Sequence, residues 1–131
     1  MPSFGTLKAD TLTHSTAGSL ATNYVVNGSS KAWVNYNGTG TPAARDSLNL
    51  SSITDHGTGD HSTNFSSSLS SGDYVCSSSV INTTTNGMTQ LSGAAAFSMT
   101  GSAFRTALLR NPSGTAKDPE FCLFSFFGDL A

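Results

Sequence analysis

The sequence predicts an all-β chain, an antiparallel β-sandwich of jelly-roll type behind a short N-terminal arm. Three observations predict it. Small polar and turn-forming residues dominate, with 22 Ser, 17 Thr, 9 Asn and 13 Gly among 131 residues, a composition suited to many short strands and tight turns. Turn signals recur at short intervals, at Asn27-Gly28, Gly38 to Pro42, Asp55 to Asp60, Asn86-Gly87 and Asn111 to Gly114. Between them, apolar and polar residues alternate with a period of two. Disorder is excluded by the 8 Phe, 3 Tyr and 1 Trp and by only 4 Pro, since disordered chains carry few aromatics and many Lys, Glu and Pro.

Residues 1–30 read as a polar arm, with a short strand over Thr6–Leu12, a loop at His14–Ser19 and a turn at Asn27-Gly28. Lys31–Gly38 is a strand with Ala32, Val34 and Tyr36 on one face and Trp33, Asn35 and Asn37 on the other. Leu48 and Leu50 alternate with Ser47, Asn49 and Ser51. Ile53–His61 is a hairpin turning on Asp and two glycines, and its return strand puts His61, Thr63 and Phe65 on one face. Ser66–Gly72 is a serine-rich loop, and Tyr74–Ile81 is a further strand. Gly93–Arg110 could carry a helical turn through Phe104, Ala107 and Leu108, but reads better as two strands around Gly101-Ser102. Phe121–Phe127 closes the chain, giving about eight strands in residues 31–131.

That last strand is apolar on both faces: Phe121, Leu123 and Phe127 on one, Cys122, Phe124 and Phe126 on the other. A strand apolar on both faces is buried on both. One face is the core; the other is covered either by the chain's own loops or by a second subunit. Phe121, Leu123, Phe124, Phe126 and Phe127 are therefore the candidate subunit-interface residues.

Several functions are excluded by composition. Six Lys plus Arg stand against eight Asp plus Glu, a net charge of -2. This is no basin for phosphates, so no nucleic-acid partner is expected. No apolar run approaches the ~20 residues of a membrane helix, so no membrane partner is expected, and no secretory signal is visible at the start. Two cysteines, Cys76 and Cys122, are too few for a disulfide framework or a four-Cys zinc site, and are expected reduced and buried rather than bridged.

Candidate chemistry is sparse. Asp55, His56, Asp60 and His61 are a metal-capable set gathered at one hairpin. Turn chemistry accounts for them better, with the histidines as exposed polar residues on either side. No Gly-x-Ser-x-Gly elbow and no phosphate-binding Gly-x-x-x-x-Gly-Lys loop occurs. Asp118 and Glu120 flank Pro119 in a turn, where structural roles are expected rather than the paired acids of glycoside cleavage. Trp33, Tyr36 and Tyr74 are candidates for a sugar-binding aromatic surface, but packing of Trp33 in the core or at an interface accounts for it better. The five Asn-x-Ser/Thr sequons, beginning at Asn27, Asn37, Asn49, Asn64 and Asn82, are in line with chance at this Ser and Thr content. No catalytic residue, metal or cofactor is assigned.

Three segments together resemble a known module: Lys31 to Thr41 (KAWVNYNGTGT), Ala44 to Asp55 (ARDSLNLSSITD) and Gly57 to Asp60 (GTGD). With the opening LKADTL and the closing FGDLA, they resemble fibre and virion surface proteins of tailed bacteriophages, many from phages of marine bacteria. His56 and His61 depart from that pattern, and residues 62–117 match it weakly. The resemblance implies a non-enzymatic virion structural protein, a homotrimeric tail-fibre or head-fibre component. Within that reading the arm is expected to face the virion, as short terminal arms dock readily, and residues 62–89, rich in Ser, Thr and Asn, to face outward. Its expected partners are itself, other capsid or tail proteins, and a host surface glycan or protein. A capsid decoration protein and a small polysaccharide-active enzyme are the alternatives.

Overall fold

A computed structural model of the chain describes residues 9–82, 89–92, 97–110 and 114–131. The fold is all-β, with antiparallel sheets and one short helix. In order the elements are β1 (Thr11–His14), β2 (Gly18–Ala21), α1 (Thr22–Gly28), β3 (Ala32–Asn37), β4 (Ala43–Leu48), β5 (Leu50–Gly57), β6 (Asp60–Phe65), β7 (Val75–Ile81), β8 (Thr89–Ser92), β9 (Ser98–Thr100), β10 (Ala103–Arg110), β11 (Thr115–Ala116) and β12 (Phe121–Phe127).

One sheet runs β4-β3-β12-β7. The other is built around β10, which pairs β6 and then β11 along one side and β9 and then β8 along the other, with β5 outside β6. Alternation decides which residues face inward. Along β3 and β12, every second side chain is buried: Ala32, Val34 and Tyr36, then Cys122, Phe124 and Phe126. The second sheet answers with His61, Thr63 and Phe65 from β6 and Phe104, Thr106 and Leu108 from β10. Phe126 meets Phe65 at 5.0 Å and Phe104 at 5.4 Å between ring centroids, and Phe104 meets Phe124 at 5.6 Å. The two sheets thus share one aromatic core.

The chain passes from one sheet to the other between β4 and β5, within a single residue. Asn49 takes a φ of 56°, the left-handed region that Asn tolerates better than most residues. Its side chain holds the corner: Nδ2 donates to Lys31 O (3.1 Å) and Ser67 O (2.9 Å), while Oδ1 accepts from Ser67 N (2.7 Å). The serine-rich loop is closed by a buried Leu69, which bridges to Leu130.

The expected strands at Lys31–Gly38, the Ile53–His61 hairpin, Tyr74–Ile81, the pair around Gly101-Ser102 and Phe121–Phe127 are all present, among twelve strands in the described residues. The opening segment differs. Where a turn is predicted at Asn27-Gly28, residues 22–28 form a helix, and residues 11–21 form a hairpin. Thr22 starts the helix by donating its N–H to Asp10 O and its hydroxyl to Ala9 O, so long-range ties override the Asn-Gly signal. The predicted turn at Asn86-Gly87 and most of Asn111–Gly114 lie outside the described residues.

Asn49→Gly keeps the backbone angle and loses the side-chain bonds, so it is expected to cost about 2 kcal/mol. Asn49→Ala adds left-handed strain, about 1 kcal/mol more. Urea unfolding of both variants measures the two terms separately.

Candidate functional site

Each of the four residues of the metal-capable hairpin is tied to a partner of its own. Asp55 Oδ1 accepts the Gly57 N–H at 2.8 Å, which is turn chemistry. Asp60 accepts a bidentate pair from Arg105 Nε (2.9 Å) and Nη2 (2.7 Å), and this guanidinium holds its carboxyl below the usual range. His56 Nε2 lies 2.9 Å from Ser62 Oγ. Among the described residues no group of three or more His, Cys, Asp or Glu is gathered to hold a metal ion.

His61 corrects an expectation. It is 2% exposed rather than a surface residue, because it sits on the same face of β6 as Thr63 and Phe65. Its Nδ1 lies 3.3 Å from the Tyr36 hydroxyl and its Nε2 lies 3.6 Å from Asp118 Oδ1. A neutral ring protonated on Nε2 fits both: Tyr36 donates to Nδ1, and Nε2–H faces the carboxylate. Burial lowers the His61 pKa, with Asp118 opposing that shift.

Close backbone approach locks this end of the molecule. Asp118 Oδ1 also accepts the Gly59 N–H (2.6 Å), and Gly59 O accepts the Leu108 N–H (2.6 Å). Gly59 has a φ of 71°, and a Cβ there would stand 2.5 Å from Leu108 O. At Gly38, whose N–H donates to Pro119 O (2.9 Å), a Cβ would meet that same oxygen at 2.8 Å. The hairpin tip, the end of β3 and the segment before β12 therefore form one structural joint. Asp118 has the structural role expected of it.

Tyr36 and Tyr74 do not form a ligand surface. Tyr36 is 0% and Tyr74 6% exposed; burial raises both phenol pKa values, and Tyr74 donates its hydroxyl to Ala103 O. Their positions on inward faces decide this. Trp33 alone remains on the outer face, where it borders a shallow hollow of about 370 Å³ with Asn35, Leu123, Ser125, Ser77 and Ser79. Phe124 and Phe126 likewise leave the expected subunit boundary, because they are 3% and 1% exposed within the chain's own core. Phe121, Leu123 and Phe127 keep the outer face and are partly buried. Arg45, from β4, lies over the Phe121 ring at 4.2 Å, a cation–π contact absent from the sequence reading.

Both cysteines are free, Cys122 buried and Cys76 partly so, and burial pushes each thiol up to about 12. In the outward-facing segment expected over residues 62–89, Ser62, Thr63, Phe65, Leu69 and Tyr74 are buried, since β6 belongs to the core; residues 83–88 lie outside the described residues.

The two outer faces differ in kind. On the β5-β6-β10 side, Asn64 Nδ2 donates to Ser52 Oγ (3.1 Å) and Thr54 Oγ1 (2.9 Å), continuing into the His56–Ser62 and Asp60–Arg105 pairs. On the β4-β3-β12-β7 side, register aligns Leu48, Trp33 and Ser125 in one row and Phe121 with Ile81 and Phe127 with Val75 in others. Leu48, Ile81 and Val75 are exposed. At the N-terminal end, α1 has no buried residue, and Leu12, Leu20, Tyr24, Val25 and Val26 are exposed. Among the described residues no helix is long and apolar enough to cross a membrane.

Compared with known proteins, the chain matches no family model, no curated protein and no solved structure.

A pH dependence follows from His61. The unfolded chain binds a proton at His61 below about 6.5, while the folded chain resists it. The stability this neutral ring contributes is fully present above pH 6.5 and is lost as pH falls toward the lowered folded pKa. Urea midpoints are expected to fall from pH 7 to pH 5, and His61→Gln is expected to flatten that slope. An unchanged slope in the variant would assign the acid sensitivity elsewhere.

Proposed function

We propose that this chain is a non-enzymatic building block of a bacteriophage particle, a homotrimeric fibre component displayed on the virion surface. The observation that carries the reading is the unequal pair of outer faces. A weakly charged chain turns one hydrated face of hydroxyls, amides, an imidazole and an ion pair outward. It turns a second face of Trp33, Leu48, Phe121, Leu123 and Phe127 toward something that must cover it. The resemblance to phage fibre modules supports the same reading, since its strongest segments build β3 to β5 and the hairpin tip up to Asp60.

In this reading the two sheets form a sandwich of jelly-roll type. The apolar outer face of β3 and β12 lies at the subunit boundary, with Trp33 packed there. The hydrated face of β5, β6 and β10 is the side presented to water and to a host surface glycan or protein. The N-terminal hairpin and α1 face the virion, because an exposed apolar terminal unit is suited to docking on capsid or tail protein.

Two variants separate boundary from core. Leu123→Asp is expected to stay folded by circular dichroism and to drop in mass by light scattering, because a charge would be placed in the covered boundary. Phe126→Asp is expected not to fold. A Leu123→Asp chain with the parent's mass overturns the boundary. Electron cryomicroscopy of particles tests location: a few trimers on fibres support the reading, dozens to hundreds of copies on the shell indicate decoration, and absence from particles overturns it.

A further inference from the structure

Among the described residues, the sheet β4-β3-β12-β7 ends in two edge strands that are built very differently. An edge presents unpaired N–H and C=O groups and templates further pairing unless it is blunted by charge, proline, a bulge or shortness. β4 carries Arg45 and Asp46 and a register shift opposite Asn35 and Tyr36. In the other large sheet, β5 carries Asp55 and His56 with two register shifts, and β11 has two residues. β7 has none of these devices. Its seven residues, Val75-Cys76-Ser77-Ser78-Ser79-Val80-Ile81, carry no charge and no proline, and pair β12 without a shift along the whole strand. Val75 is 66% and Ile81 47% exposed, and Ser77, Ser78 and Ser79 are exposed as well.

The sequence of β7 also names its partner, for it reads nearly the same in both directions about Ser78. Laid antiparallel on a second copy with the two-fold axis at Ser78, Val75 falls opposite Ile81 and Cys76 opposite Val80. Ser77 falls opposite Ser79, and Ser78 opposite itself. Apolar meets apolar and hydroxyl meets hydroxyl at every position, the pairing that stabilises neighbouring strands. Residues that meet have the same parity, so the outer face of one sheet continues into the outer face of the other. A slip by one residue would invert one sheet against its neighbour, and a slip by two would leave Val75 or Ile81 unopposed. Self-pairing sets every charge opposite a residue of the same strand type, and β7, having no charge, meets no repulsion. Behind it, Phe127 lies beside Val75 and Phe121 beside Ile81, so the joined strands carry an apolar contact at both ends.

We propose that β7 pairs edge to edge with β7 of a second copy of this chain, antiparallel about a two-fold axis at Ser78, joining two four-stranded sheets into one of eight. The contact is isologous. It goes beyond the trimer proposed above and does not depend on it, since it doubles whatever unit the outer face builds.

Cross-linking and mass test it in the full chain. Ser78→Cys brings two thiols together on the axis, at the Cα separation of ~4.5 to 5.5 Å that neighbouring antiparallel strands have and a disulfide accepts. Mild oxidation at micromolar concentration is expected to link most of this variant into dimers within minutes, with the parent chain and Ser66→Cys as controls that stay largely unlinked. Val75→Lys is expected to halve the parent's mass by light scattering while circular dichroism stays unchanged. Adding Ile81→Glu sets opposite charges across both ends of the pairing and is expected to restore the doubled mass in part. No linkage beyond the controls, or an unchanged mass in Val75→Lys, overturns the pairing. A parent mass of three chains that falls in Leu123→Asp also overturns it while leaving the trimer standing; a doubled mass unaffected by Leu123→Asp does the reverse.

Discussion

Phe126 is where the two sheets hold each other. Its ring contacts Phe65, Phe104, Tyr74 and Phe124, with centroids between 5.0 and 6.3 Å, and these rings come from both sheets and from the segment that enters β7. Three of these contacts are edge-to-face and that with Phe124 is stacked, and both kinds add to the burial of large apolar area. A chain with nearly a third of its residues Ser or Thr has few large side chains to bury, so it concentrates them. The arrangement works only if β12 is central in its sheet and if β6 and β10 lie directly opposite, and the topology meets both conditions. Leu108, Val34 and Ala32 fill the space around the rings.

One end of this core is polar, and the way it is satisfied explains the joint between hairpin and β12. Burying His61 and Tyr36 side by side requires that each find a partner. They use each other, and Asp118 takes the remaining imidazole nitrogen while also capping the Gly59 N–H. The glycines at 38 and 59 let the three backbone segments approach closely enough for this to happen. The Tyr, His and carboxylate are thus the groups of a catalytic relay arranged as a clasp, with the imidazole shut away from solvent.

Much of the core was legible in sequence because it rests on period two. The inward faces of β3 and β12 and the trio His61, Thr63 and Phe65 follow from alternation alone. Reading His61 as exposed went wrong by giving weight to its place beside a turn, whereas its parity with Phe65 decided its burial. Reading Tyr36 and Tyr74 as a ligand surface rests on aromatic chemistry alone, and the inward faces that bury both rule it out. Phe124 and Phe126 were grouped with Phe121 and Phe127 because a strand apolar on both sides does not say which side is the core. The crossing at Asn49 and the Arg105–Asp60 pair depend on contacts between residues far apart in sequence, and no local pattern announces them.

The distribution of charge ties the fold to assembly. Asp60, Arg105 and Asp118 are tied into bonds at and beside the hairpin joint, and Arg45 and Asp46 sit on the β4 edge. From β4 the sheet continues through β3 and β12 to β7, strands without a single ionisable acid or base beyond the two buried or half-buried thiols and the buried Tyr36. A sheet that is charged at one edge and uncharged at the other has two unlike edges. Charge and a register shift at the β4 edge, and their absence at β7, agree with the pairing proposed for β7. Combined with an outer face that carries Trp33, Leu123 and Phe127, this is why both contacts proposed above use the four-stranded sheet and neither uses the β5-β6-β10 face.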